Sequence, residues 1–331
     1  MRKIAVLNQK GGVGKTTTVV NIAAALAAAG LKVVAIDLDP QANLTIHLGV
    51  EPDKIKSGSY TVLTQLDHLE NVLMMVRPNL WLLPANINLV GAESELVSVV
   101  GREIILREAF ESIENTFDYL IMDCPPSLGL LTLNALAAAD EILIPLQPHF
   151  LALQGFGKLL QTVDLVGKRI NPKLKVMGIL LCMFESRVSL PNEVKADIEQ
   201  FLERARNTNC AWAQASILPV YVRRNIKLAE APSYGKTIFE YEQNCHGAED
   251  YRRVAEFIHN PSAGKSAASF QPDHRDEDQP QPPTEPKMGT PDQPPQELTH
   301  AGQATSAQDP NQTDKSQNQP AGEQNNTDSP C

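Results

Sequence analysis

The run Arg2-Lys3-Ile4-Ala5-Val6-Leu7-Asn8, followed by Gln9-Lys10-Gly11-Gly12-Val13-Gly14-Lys15-Thr16-Thr17, decides the reading of this chain. Its first part is short, apolar and rich in branched residues, which predicts a buried strand. Gly11, Gly12 and Gly14 put three glycines in four positions, a loop whose backbone can wrap closely round an anion. From Thr16 to Ala29 the residues are mostly Ala, Val, Ile and Leu with neither Pro nor Gly, which predicts a helix. Strand, glycine loop, Lys-Thr and helix make the layout of a phosphate-binding P-loop. In that layout the loop N–H groups cradle phosphates, Lys15 neutralises charge toward the β/γ end and the Thr16 hydroxyl ligates Mg²⁺. The helix N-terminus adds the positive end of its dipole.

Outward from this loop, Gly30 closes the helix and Leu31–Pro40 reads as a second buried strand with Asp37 and Asp39 at its tip. Further strands are expected at Trp81–Ala85, Asp118–Asp123, Glu141–Leu146, Lys175–Cys182 and Ser216–Leu218. Helices are expected at Tyr60–Leu66, Leu96–Phe117, Leu130–Ala139, Gly155–Ile170, Leu190–Asn207 (opened by Pro191) and Ala248–His259. Gln41–Thr45 reads as loop or helix start, and the stretch after Leu218 as irregular and basic. Apolar strands alternating with helices predict an α/β fold, a mostly parallel twisted sheet with helices on both faces. Ligands of such sheets collect at the carboxyl ends of the strands, where Asp37 and Asp39 lie beside the loop.

Composition divides the 331 residues near Asn260. Residues 260–331 hold 12 of the 24 prolines, many Gln, Asn, Ser and Thr, and Phe270 as their single aromatic residue. Such a segment buries too little apolar surface to offset the entropy of ordering, so it reads as a disordered acidic tail behind a globular domain at residues 1–259. The tail carries 11 acidic against 4 basic residues, and the body 28 against 25. A nearly neutral body gives no global electrostatic argument for nucleic acid or an acidic membrane, so such binding needs a local patch. Five cysteines, Cys124, Cys182, Cys210, Cys245 and Cys331, lack paired spacing and read as reduced thiols. No leader-like or spanning apolar run is present, which with the thiols points to the cytoplasm.

Asp123 closes an apolar run and precedes Cys124-Pro125-Pro126-Ser127. A carboxylate there can hold Mg²⁺ through water, with the prolines stiffening a loop beside the γ-phosphate. The bland alternative is a strand-end Asp in a turn. Arg223, Arg224, Lys227 and Lys236 place four cations in fourteen residues, either a DNA-phosphate patch or a solvated surface paired to Glu230 or Glu240.

Where a standard P-loop has its first Gly, this chain has Gln9, with a second lysine at Lys10. The segment Lys10-Gly11-Gly12-Val13-Gly14-Lys15-Thr16-Thr17 resembles the deviant Walker A motif of the ParA/MinD group of ATPases. The resemblance implies that Lys10 reaches across a dimer to the partner's nucleotide; its bland alternative is a solvated loop lysine. Asp37-Leu38-Asp39-Pro40-Gln41 resembles that group's switch I segment, which implies that Asp39 orients the attacking water and Asp37 lies near the metal's water shell. Asp37 reads equally as a structural cap for the next loop. Val222–Lys236 is similar to the segment of Soj-type ParA proteins with adenine- and DNA-contacting residues, implying that Asn225 contacts adenine. Arg223 stands where that family commonly has proline, and Gln154 where relatives usually have Glu. The resemblance extends over residues 1–259 and includes Pro84-Ala85-Asn86, Gly91-Ala92-Glu93, Gly101-Arg102-Glu103 and Leu153-Gln154-Gly155.

The resemblance implies an ATPase of the partition type with ATP and Mg²⁺ as cofactors. Lys10, Lys15 and Asp39 would be catalytic, and Thr16 and Asp123 would hold the metal. The nucleotide would be bound by Lys10 through Thr17, with Asp37, Asp123 and Asn225. Its partners would be a second copy in an ATP-dependent dimer, nonspecific DNA through Arg223, Arg224, Lys227 and Lys236, and a ParB-like centromere-binding protein. That places it on the nucleoid, with no membrane partner. The rivals are a MinD-like membrane-associated division ATPase, a ParA-like protein positioning another cargo, and an iron–sulfur reductase using Cys124. The acidic, Pro/Gln-rich end opposes the first, since an anionic membrane repels it. The last lacks a convincing second cluster ligand.

Overall fold

The computed structural model describes residues 1–149 and 152–260. The proposed tail beyond Asn260, Cys331 and the side chain of Gln154 lie outside the described residues. In chain order the elements are β1 (Arg2–Val6), α1 (Lys15–Ala28), β2 (Val33–Asp37), α2 (Asn43–His47), α3 (Ser59–Thr64), α4 (Leu69–Val72), β3 (Met74–Arg77), β4 (Leu80–Leu83), α5 (Leu89–Glu95) and α6 (Ile105–Glu111). They continue with β5 (Tyr119–Asp123), α7 (Leu130–Ala138), β6 (Glu141–Leu146), α8 (Ala152–Arg169), β7 (Lys175–Phe184), α9 (Ser189–Ala205), β8 (Val222–Arg223), α10 (Ile226–Glu230), α11 (Ile238–Tyr241) and α12 (His246–His259).

The strands form one sheet in the order β3-β4-β2-β5-β1-β6-β7-β8. Every pairing is parallel except the β3–β4 edge. The twofold alternation of side chains along a strand divides the core in two. Ile4 and Val6 of β1 pack with α1 and α12, through Val19, Ile22, Tyr251 and Val254. Ala5 and Leu7 face the other way, toward Leu106, Phe110, Leu131 and Ala135 of α6 and α7. Both faces are covered, as the continuous apolar strands require.

Three local expectations need correction. The helix expected over Leu96–Phe117 is a single 3₁₀ turn at Leu96–Ser98 followed by α6, because Gly101 takes the left-handed region at φ 77° between them. The Ser216–Leu218 strand reduces to one bridge between Ile217 and Ile179, while β8 forms inside the stretch read as irregular. The antiparallel hairpin strand β3 was not expected; Asn79 at φ 60° turns it into β4.

Candidate active site

At the carboxyl edge of the sheet, β1 runs into the glycine loop, in which Gly12 (φ 74°) and Gly14 (φ 93°) adopt backbone that glycine alone reaches without strain. A Cβ at Gly11 or Gly12 would meet no atom within 4 Å, so the loop lines open space. α1 starts at Lys15 with no side-chain cap and no acidic residue in its first turn, leaving its N–H groups and positive dipole end for an anion. The Lys15 ammonium is nearly buried and donates to the Lys10 carbonyl at 3.3 Å. Burial lowers its pKa, while the Asp123 and Asp39 charges act in the opposite direction. Phosphate oxygens are acceptors to which such a desolvated ammonium can donate.

Asp37 and Asp123 end neighbouring strands and are register partners. Asp123 is 1 % exposed. Its Oδ2 accepts the Thr16 hydroxyl at 2.6 Å, and its Oδ1 is buried with no hydrogen-bond partner. Burial pushes this carboxyl well above the usual carboxylate range, Asp37 adds to that, and Thr16 and Lys15 oppose it. An orphaned carboxylate oxygen beside a threonine hydroxyl is the donor arrangement a hydrated Mg²⁺ satisfies, so these residues fit that ion.

Asp37 is fully buried, and its carboxylate accepts from the Thr45 N–H (2.9 Å), the Thr45 hydroxyl (2.7 Å) and the Asp39 N–H (3.1 Å). Burial raises its pKa to about 6 against these donors. The cap for the next loop is therefore visible, because Asp37 holds the first turn of α2. Thr45 went unnoticed in the sequence; its only signal is a hydroxyl one turn into the helix that follows the acidic tip. Asp39 is half-buried, and one carboxylate oxygen accepts the Gln41 N–H at 2.9 Å. Lys10 is exposed at the loop's mouth, with its ammonium against His149 Nε2 and its N–H donated to Asn8 Oδ1 at 3.0 Å.

β8 adds to the sheet beside β7, whose Cys182 lies 3.8 Å from a Cβ built on Gly14. Asn225 therefore follows a strand one place away from the loop's neighbour. It caps α10, with Oδ1 accepting the Lys227 N–H at 2.8 Å, which leaves its amide N–H₂ to donate.

The four cations are not equivalent. Arg223 turns inward, donating to Asp250 at 2.7 Å and to Glu249 at 2.8 Å, with Asp250 3 % exposed. Lys227 pairs with Glu230 at 3.0 Å. Arg224 is largely exposed, with Glu185 at 3.6 Å. Lys236 is exposed, and no carboxylate among the described residues pairs with it. Cys124 and Cys182 are buried free thiols, and burial pushes both pKa values up, Cys182 to about 12. Among the described residues no cluster of three His, Cys, Asp or Glu could hold a metal by itself, and no helix is long and apolar enough to cross a membrane.

Residues 1–176 match the family described as the AAA domain. The chain is 41 % identical over 256 residues to the sporulation initiation inhibitor protein Soj of Bacillus subtilis, covering 77 % of this chain and 97 % of that protein. It is 43 % identical over 251 residues to the chromosome partitioning protein ParA of Myxococcus xanthus, covering 76 % and 85 %. Among solved structures, it is similar to cobyrinic acid a,c-diamide synthase from Mycobacterium smegmatis with bound ATP analog and magnesium, at 37 % identity and a TM-score of 0.65 over 80 % of this chain and 97 % of that one.

Proposed function

Because this chain belongs to the ParA/Soj family of chromosome-partitioning ATPases, we propose that its ATP-bound form pairs with a second copy, binds DNA without reading sequence, and is released when a ParB-like partner stimulates hydrolysis. It is an ATPase whose cofactors are ATP and Mg²⁺. The observation that carries the reading is the convergence of the glycine loop, buried Lys15 and the Thr16–Asp123 pair at one sheet edge.

The loop N–H groups and Lys15 bind and orient the phosphates. Thr16 and Asp123 hold Mg²⁺, which when bound neutralises the charge that develops on the transferred phosphoryl group. Asp39 orients the attacking water, and Asp37 fixes the loop carrying Asp39 by accepting its N–H. Lys10 leaves its own loop to neutralise charge on the partner's nucleotide, and Asn225 donates to adenine. Arg224 and Lys236 supply the accessible phosphate contacts, while Arg223 and Lys227 shape the patch through their carboxylate partners. The protein then acts on the nucleoid, in the cytoplasm.

The test is binding to nonspecific duplex DNA at low and moderate salt with ATP or ADP, alongside anionic vesicles. The expected result is ATP-dependent, salt-sensitive DNA binding that weakens in Arg224→Ala and disappears with the dimer in Lys10→Ala. Vesicle binding without DNA binding would replace this reading with a membrane-directed one, and an unchanged ATP-bound dimer in Lys10→Ala would remove that lysine from its role.

A further inference from the structure

Glu93, on α5, belongs to none of the groups above, yet its carboxylate sits where α7 begins. Oε1 accepts the Leu131 N–H at 3.4 Å. A Cβ built on Gly129 would fall 2.1 Å from that same oxygen. Gly129 has φ −83° and ψ −167°, extended backbone open to any residue, so its own conformation gives no reason for glycine. The space is excluded by the carboxylate.

α7 has no side-chain cap of its own and no acidic residue in its first turn. Glu93 therefore supplies, from a different helix, the negative charge that a helix N-terminus attracts. Glu93 is half-buried on α5, which is anchored in the core by Leu89, Ala92 and Leu96, each 2 % exposed or less. The loop Cys124–Gly129 runs from the end of β5 to this point. Its first end is fixed at Asp123 in the sheet. At its other end the Thr132 hydroxyl donates to the Ser127 carbonyl at 2.6 Å, carrying the constraint from α7 back into the loop.

We propose that Glu93 is a positioning residue for ATP hydrolysis, pinning the α7 end of the Cys124–Gly129 loop so that the loop lies correctly beside the γ-phosphate. This rests on the assignment of Asp123 and its loop to the nucleotide site. On that assignment nucleotide and metal are held by the glycine loop, Lys15, Thr16 and Asp123 and not by Glu93, so its removal is expected to change turnover rather than binding.

The experiment uses the full chain as wild type, Glu93→Ala, Gly129→Ala and the double variant, with Asp123→Ala as reference. The readouts are kcat for ATP, the Kd of a non-hydrolysable ATP analogue with Mg²⁺, and the thermal midpoint. Each single variant is expected to lower kcat about fivefold or more while the analogue Kd moves less than about twofold. In the Glu93→Ala background the new methyl group has room, so Gly129→Ala is expected to cost less than about twofold further. Wild-type kcat in Glu93→Ala, or a change confined to the thermal midpoint, would overturn the inference, as would additive losses in the double variant. Should Asp123→Ala keep full turnover, the site assignment itself falls; should Asp123→Ala be inactive while Glu93→Ala turns over normally, only the role of Glu93 falls.

Discussion

Replacing Asp123 by Asn should stabilise the ligand-free protein while removing its Mg²⁺-dependent turnover. The carboxylate is 1 % exposed, has the Thr16 hydroxyl on one oxygen and nothing on the other, and is the register partner of buried Asp37. Lys15, itself desolvated, is the cation that compensates it. An unpaired buried acceptor of this kind costs about 1–3 kcal/mol, more when charged. Asn keeps the shape and an acceptor for Thr16 but carries no charge.

The pH dependence fixes the sign. The folded carboxyl titrates well above its unfolded range, so its favourable contribution is complete below about pH 4 and is lost as pH rises through the folded pKa. Wild type and Asp123→Asn should therefore be nearly equal near about pH 4, and the variant more stable by about 1–3 kcal/mol near about pH 8.5. Urea unfolding of both chains at both pH values, without metal or nucleotide, measures this directly. His47, whose pKa burial lowers to about 4, titrates alike in both chains and drops out of the difference. With Mg²⁺ and a non-hydrolysable ATP analogue at about 100 times the wild-type Kd, wild type alone gains about 2.7 kcal/mol and the order closes or reverses. A ligand-free variant less stable than wild type at the higher pH, or a difference that does not grow with pH, would refute the reasoning.

Arg223→Ala should behave as a stability variant: its loss leaves the nearly buried Asp250 without its ion pair, costing about 2 kcal/mol in urea unfolding after allowing for the partial exposure of Arg223. The salt slope of DNA binding should stay as in wild type, because this guanidinium is committed to Asp250 and Glu249. Gly235→Ala should cost about 2–4 kcal/mol, since φ is 61° and the new Cβ would fall 2.7 Å from the Gly49 Cα, backbone that no rotamer can move. Gly30→Ala, at φ 87° but with nothing within 4 Å, should cost only the conformational part, about 1 kcal/mol.

What was legible in the sequence is what is encoded locally. The glycine loop, Lys15, Thr16 and the apolar strand ending at Asp123 declare themselves within a few residues, because a phosphate cradle is built from consecutive backbone groups. The parallel sheet followed from apolar strands alternating with helices. Contacts between distant residues did not show. Nothing near Arg223 announces that its partners are Glu249 and Asp250 on α12; for the cluster of four cations the sequence offered a DNA patch or pairing to Glu230 or Glu240, and of these only Lys227 pairs with Glu230. The β3 strand was missed because its four residues are too few for a period, and the α6 boundary because a single left-handed Gly101 outweighed an otherwise helical composition. Glu93 stood inside a motif shared with relatives, but its meaning needed Gly129, which lies on the other side of β5.

The uneven commitment of the cations bears on how ATP would control DNA binding. In one chain the accessible charges of the 223–236 segment reduce to Arg224 and Lys236. Each phosphate neutralised on duplex DNA contributes about 0.9 to the slope of log affinity against log salt, so a single chain holding two phosphates has a slope of about −2. On the proposed reading such a chain would bind weakly at physiological ionic strength. On the proposed reading, two chains paired face to face across their nucleotides present four such contacts on one body, and the slope steepens to about −4. The second pair of contacts is then made intramolecularly, at an effective concentration set by the dimer rather than by the solution. ATP dependence would then follow from valence alone. On that reading the patch itself need not change shape, and the carboxylates paired to Arg223 and Lys227 would hold down the affinity of the single chain.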